Sequence, residues 1–340
     1  MRPSAIQDEL GFARQTGTPV VIAGDQGVGK SSIVEQYAAA AGMDFLLSHP
    51  VTWDVTDVKG LPVPDLENNV GRWLPYSDLL AAIKATKPTV WLIDDLGQAA
   101  GAIQASLMQI FLAGRIGEHR ISKTIQLIGA TNRVKDRAGV GMPLEPLKGR
   151  ARLLQYDISL DDWSKWAASN GAPPEILGFL HFRPDMLHNC QHINDWQQSG
   201  STPRGWHRAG LRMKQGVTPA NEIEVLAGDV GMAISTEFAA YMRVYRELPD
   251  LSIVESSPDK APVPTDISAR YAITCALAAR ATKPLLKKHD AYIRRIKNGK
   301  AEQREFRLLY WRQAVARDTN LGSTAEFQAF ADDFQDVTLG

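Results

Sequence analysis

Gly24-Asp25-Gln26-Gly27-Val28-Gly29-Lys30-Ser31 fits the pattern G-x-x-x-x-G-K-S, and its reading decides the fold. Glycines there let the backbone curl so that successive N–H groups point inward at phosphate oxygens. Lys30 then reaches the β- and γ-phosphates of ATP, and the Ser31 hydroxyl ligates Mg²⁺. The candidate binding run extends from Gly24 through Ser32. Pro19–Gly24 (PVVIAG) reads as a buried strand leading in. Ser31–Gly42 (SSIVEQYAAAAG) reads as a helix leading out, its positive end aimed at the same phosphates. A glycine-rich turn without a ligand could carry the same letters, but strand before and helix after are the context the phosphate reading requires.

Working outward, Thr89–Asp95 (TVWLIDD) is a second buried strand, Ile103–Gly114 a helix and Thr124–Asn132 (TIQLIGATN) a third strand. Strands alternating with helices imply a parallel sheet covered on both faces. A buried strand ending in acids brings carboxylates to the sheet edge beside the glycine loop. Asp94 is the candidate Mg²⁺-side acid, acting through water. Asp95 is the candidate to polarise an attacking water, and the Asn132 amide can hold that water or a γ-phosphate oxygen. The plainer alternatives are solvated carboxylates opening a loop and a turn-forming asparagine.

Charge gives no further direction, since 38 Lys plus Arg balance 38 Asp plus Glu and favour neither polyanions nor membranes. Cys190 and Cys275 lie far apart and suggest no disulfide framework. No signal segment or membrane-length apolar run is present, so the expected location is the cytoplasm. From about Asp161 helical signals dominate. Pro173 and Pro174 open one helix, and Thr218-Pro219 reads as the N-cap and first residue of another. Ile234, Phe238, Tyr241, Met242 and Tyr245 form an apolar stripe at helical spacing. Ser256–Pro264 (SSPDKAPVP) reads as a linker. The expected division is 1–158, an α/β nucleotide-binding domain; 159–255, a helical lid; and 256–340, a helical C-terminal region.

The order of these features resembles an AAA+ module, and more narrowly the MoxR branch. Ile93–Ile121 looks like that branch's second acidic motif and helix, and Gly129–Asp136 like its sensor-1 segment. The stretch from Pro143 to Leu153 resembles the arginine-finger segment, and Ser201–Trp206 sensor 2. Trp53–Asp65 resembles the aspartate-and-glycine stretch of the strand after the P-loop helix. The resemblance implies a P-loop three-layer sandwich with an all-α lid. It implies a homo-oligomeric ring, usually a hexamer, with ATP between subunits. It also implies partners carrying a von Willebrand factor A domain. Carried over by position, Lys30 and Ser31 bind phosphate and Mg²⁺, Asp94 binds Mg²⁺ and Asn132 is sensor 1. Arg150 matches the finger reaching a neighbour's γ-phosphate, with Arg152 second, and Arg204 matches sensor 2. Asp95 stands where most of the family has glutamate, one methylene longer, which implies slow hydrolysis or a closer loop. Gln26 replaces the common proline.

Three further constellations stay open. His181, His188, Cys190 and His192 crowd together without a metal-ligand spacing and read as lid residues. Arg280–Arg317 is basic, with Tyr292, Phe306, Tyr310 and Trp311 interleaved. A solvated helical face over core aromatics is favoured there, with nucleic-acid contact the minority view. Gly60–Pro75 and Gly114–Ser122 are loops that line a ring's pore or form plain surface hairpins. The expected function is an ATP-driven remodelling motor acting like a chaperone. The alternatives are a nucleic-acid loader using ATP as a switch, and a nucleotide-binding scaffold that hardly hydrolyses.

Overall fold

Alternate residues of three strands are buried on opposite faces, and this builds the first half of the chain. Val20, Ile22, Val90, Leu92, Ile128 and Ala130 share one core cluster, while Val21, Trp91, Ile93 and Leu127 belong to another. A strand apolar at every position can satisfy that pattern only inside a sheet covered on both sides. The computed structural model describes residues 1–132, 149–189, 200–296 and 300–334, with only the backbone of 300–303. It divides into two compact units, 1–158 and 159–340.

In the first unit, helix α1 (Pro3–Thr16) precedes β1 (Val20–Ala23), and α2 (Lys30–Ala40) leads to β2 (Asp44–Ser48). A short helix α3 (Val55–Lys59) opens a hairpin, β3 (Leu61–Asp65) and β4 (Val70–Leu74). Then follow α4 (Ser77–Lys84), β5 (Thr89–Ile93) and α5 (Gly101–Ala113). A second small hairpin, β6 (Arg115–Ile116) and β7 (His119–Arg120), precedes β8 (Ile125–Thr131) and β9 (Arg152–Gln155). The parallel sheet has the order β2-β5-β8-β1-β9. Ile6, Leu10, Ile33 and Val34 of α1 and α2 cover one face; Leu79, Ile103 and Leu107 of α4 and α5 cover the other. This is the expected three-layer α/β sandwich.

Trp53–Asp65 is not the strand after the P-loop helix; that strand is β2, and Trp53–Asp65 runs into α3 and the first hairpin strand. The reason is local. Asp54 and Asp57 close a capping box that starts a helix, and Gly60 takes φ +96° with no room for a Cβ beside the Leu74 carbonyl.

The second unit is helical: α6 (Leu160–Ser169), α7 (Pro174–Phe182), α8 (Pro203–Lys214), α9 (Glu222–Val230), α10 (Met232–Arg246), α11 (Leu251–Ser256), α12 (Ile267–Ala279), α13 (Leu286–Ile293), α14 (Lys300–Arg317) and α15 (Ala325–Asp333). Helix α9 begins at Glu222 instead of Pro219. Asn221 Oδ1 accepts from the Thr218 N–H at 2.9 Å and hydroxyl at 3.0 Å, so those residues close a turn before the helix starts. Residues 256–264 pack within this unit and do not act as a free linker. Ala261 is buried, the Pro262 carbonyl accepts from Tyr292 at 2.7 Å, and the Ala261 carbonyl accepts from Arg295 at 2.8 Å. Helices α7 and α12 lie against each other, so 159–255 and 256–340 share one core. Among the described residues no helix is long and apolar enough to cross a membrane.

Candidate active site

Three strands end at the same sheet edge, and each delivers one part of the site. The register Val20↔Ile128 between β1 and β8, and Ile93↔Gly129 between β5 and β8, brings Gly24, Asp94 and Asn132 alongside. Carboxyl ends of parallel strands are where ligands sit in open α/β sheets. Helix α2 starts directly after the loop with Gly29 as its N-cap at φ +101°, and no side chain caps it. Gly27 is also left-handed, at φ +74°. The first N–H groups of α2 thus remain for an anion.

Lys30 is buried, and its ammonium donates to the Gly24 carbonyl at 3.0 Å, the Asp25 carbonyl at 2.9 Å and Asn132 Oδ1 at 2.8 Å. The Ser31 hydroxyl donates to Asp94 Oδ2 in a short bond. Asp94 and Asn132 are buried too, whereas Gln26 and Ser32 are exposed and Val28 faces the core. The Asp94 N–H donates to the Ser48 carbonyl at 2.9 Å, and the Ser48 hydroxyl links Trp91 Nε1 to Asp78. That chain fixes the ends of β2 and β5 against each other. A hydroxyl beside a carboxylate, both hard oxygen donors, suits Mg²⁺. Position 24 requires glycine for a steric reason: a Cβ there would lie 2.8 Å from Tyr156 Cβ.

Asp95 has φ +54° and ψ +33°, a left-handed conformation uncommon for a residue with a Cβ. Its N–H donates to Asp94 Oδ1 at 3.0 Å, and its carboxylate accepts from Gln98 Nε2 at 2.8 Å. Tyr156 and Gln98 went unnoticed in the sequence. The signal for Gln98 was available, since a polar side chain three residues after the second acid can fold back in a tight turn.

Residues 19–147 match the AAA domain of the dynein-related subfamily. The chain matches none of the curated proteins. RuvB of Thermotoga maritima, described as a Holliday junction branch migration motor, overlays 84% of this chain and 86% of its own. The identity is 15% and the TM-score 0.38. A point mutant of that RuvB overlays 82% and 83%, with 17% identity and a TM-score of 0.39. At such scores the overlays carry no weight beside the strand order and register.

The AAA domain holds Lys30, Ser31, Asp94, Asp95 and Asn132 together, but Arg150 stands apart. β9 pairs in parallel with β1, Arg152 opposite Val20, so Arg150 lies beyond the start of β1 while the glycine loop follows its end. At about 3.3 Å per residue the two are more than 10 Å apart along the sheet. Arg150 is exposed, whereas Arg152 pairs with Glu9 at 2.5 Å and lies over Phe12. Arg152 is thereby committed within its own unit and is set aside as a finger. Arg204 is exposed in the first turn of α8, in the second unit.

Residues 133–136 of the sensor-1 segment, 143–148 of the finger stretch, Cys190 and His192 lie outside the described residues. No metal-holding group of His, Cys, Asp and Glu occurs among the described residues. Burial brings His181 down to about 4, as expected for a neutral core imidazole. Tyr292, Phe306, Tyr310 and Trp311 are all fully buried. Arg280 pairs with Glu255, and Arg294 and Arg307 with Asp290 and Asp333. Base stacking on those aromatics is ruled out by their burial.

Proposed function

We propose that this chain is a Mg²⁺-dependent ATPase that assembles into a cytoplasmic ring, a hexamer by the MoxR resemblance, and remodels a protein or protein complex. The observation that carries the reading is the meeting of Lys30, Ser31, Asp94 and Asn132, from three separated segments, at one sheet edge. AAA domains commonly work as rings that hydrolyse ATP, which supports the general form of the reading.

In this mechanism Lys30 exchanges the carbonyls of Gly24 and Asp25 for β- and γ-phosphate oxygens. Ser31 and Asp94 would hold Mg²⁺, whose charge offsets that building on the phosphate oxygens. Asp95 takes a proton from water as the water oxygen bonds to the γ-phosphorus. The bond to the bridging oxygen breaks, and its electron pair leaves with ADP. Asn132 orients the water or the γ-phosphate. Arg150, placed at the opposite end of β1 from its own loop, would serve a neighbour's phosphate, and Arg204 the nucleotide of its own subunit.

The β3–β4 and β6–β7 hairpins are joined, Trp73 N–H to Glu118 at 3.2 Å and His119 Nε2 to the Trp73 carbonyl at 2.7 Å. They leave Leu66, Val70 and Leu74 exposed, a surface suited to gripping a polypeptide in a pore. A von Willebrand factor A partner is the finer expectation that comes with the MoxR resemblance. The nucleic-acid alternative, motivated by the basic run Arg280–Arg317, no longer draws on stacking by the tail aromatics, which are buried, while Lys283, Lys287 and Lys288 stay exposed; DNA-stimulated turnover separates it. The scaffold alternative is separated by turnover measured on assembled rings.

The test is Lys30→Ala. ATP binding in the presence of Mg²⁺ and turnover are both expected to be lost, by titration calorimetry and phosphate release. Normal ATP affinity in that variant would sink the assignment. Electron microscopy with a slowly hydrolysed ATP analogue checks the ring and the inward placement of the hairpins.

A further inference from the structure

Asp95 is one methylene shorter than the glutamate the site's chemistry usually employs, and its surroundings look arranged around that deficit. Its left-handed backbone turns the side chain out of the course a strand would give it. The turn that follows, Leu96–Gln98, closes with Gln98 N–H on the Asp95 carbonyl at 2.9 Å. Gln104, in the first turn of α5, donates to the carbonyls of Gly97 at 3.1 Å and Ala99 at 2.7 Å, clamping the turn from the helix side. On this anchored turn the Gln98 carboxamide donates to Asp95 Oδ1 at 2.8 Å. Its own oxygen is buried and has no hydrogen-bond partner among the described residues. Nothing but Asp95 therefore orients the carboxamide, since a flipped amide would set oxygen against oxygen.

We propose that Gln98 is a positioning residue for hydrolysis: its amide holds one oxygen of Asp95 and leaves the other oxygen to take the proton of the attacking water. This rests on the ATPase reading above. The hydrogen bond supplies what the missing methylene would have supplied in reach, namely a fixed carboxylate.

The experiment compares wild type, Gln98→Ala, Gln98→Glu, Asp95→Glu and Asp95→Glu/Gln98→Ala as full-length chains. In Gln98→Ala, kcat is expected to fall about tenfold or more while KM for ATP and the thermal midpoint hold. Gln98→Glu is nearly isosteric, and keeps the assay informative should Gln98→Ala fail to fold. It sets a second carboxylate against Asp95 in place of the amide donor, so kcat is expected to fall there too while KM for ATP holds. In the Asp95→Glu background, loss of Gln98 costs several-fold less, because the longer acid does not need it. An unchanged kcat in Gln98→Ala overturns the proposal. So does an equal loss in both backgrounds, the signature of a merely structural turn. If instead wild type turns over no ATP and matches Lys30→Ala in binding, the ATPase reading itself has failed, and Gln98 falls with it.

Discussion

Gly24 is a residue whose role follows from a single contact. Its missing Cβ makes room for the Cβ of Tyr156, an atom fixed to the backbone that no rotamer change can move away. Gly24→Ala is expected to lower the unfolding midpoint at a cost of about 1–3 kcal/mol. The same shift misplaces the loop, so ATP affinity falls at least tenfold by calorimetry. Wild-type values for both would mean that the loop does not rest on Tyr156. Lys30, Ser31, Asp94 and Asn132 could be named from the sequence because each sits at the end of an unmistakable apolar strand or in a fixed spacing. Tyr156 could not, because its contact with the loop joins distant parts of the chain. Gln98 offered only its spacing from the second acid, because its bond exists only once Asp95 has turned left-handed.

Among elements, the central strands advertise themselves and the edge strands do not. β5 is buried at all five positions, so its run of apolar residues is continuous. β2 and β9 are each fully buried at a single position and are short, with polar ends, so they do not stand out in a sequence. Helices α13 and α14 were read correctly as helices, but Asp290 and Arg307 proved to be internal ties, while Lys287 and Lys288 stay exposed. Asp290 accepts from Arg294 at 2.8 Å, from Arg307 at 3.0 Å and from Trp311 at 3.2 Å. Burial pushes its carboxyl up, yet the two guanidiniums outweigh burial and hold it below the usual range. Arg307 is only 6% exposed, so removing Asp290 leaves a buried cation with half-exposed Asp333 as its remaining described acid partner. Asp290→Ala is expected to cost about 3 kcal/mol in urea unfolding. A loss under 0.5 kcal/mol would mark the pair as a surface ornament.

At the scale of the whole chain, acid should loosen the helical unit before it touches the carboxylates. His289 is fully buried, with Nδ1 3.0 Å from the Tyr310 hydroxyl, and burial brings it down to about 4. Unfolded, it takes a proton near 6.5. Between those values the unfolded chain binds more protons, so stability is full above about 6.5 and drops as pH falls towards 4. His289→Gln should flatten that slope in urea midpoints measured across the range; an unchanged slope assigns it elsewhere. His181 and His207, lowered by burial in the same way, contribute too. Assembly has its own check. Arg150→Ala and Asp95→Ala subunits, each inactive alone, should regain some turnover when mixed, and none would mean that Arg150 does not act across an interface. Such an interface would give β9 a second use. Arg150 precedes this four-residue strand and Tyr156 follows it, and Tyr156 forms the floor under Gly24. A tug from the neighbour's phosphate would be transmitted along one short rod to the cradle of the next nucleotide. Firing would then pass around the circle in succession, each subunit timed by the one before it.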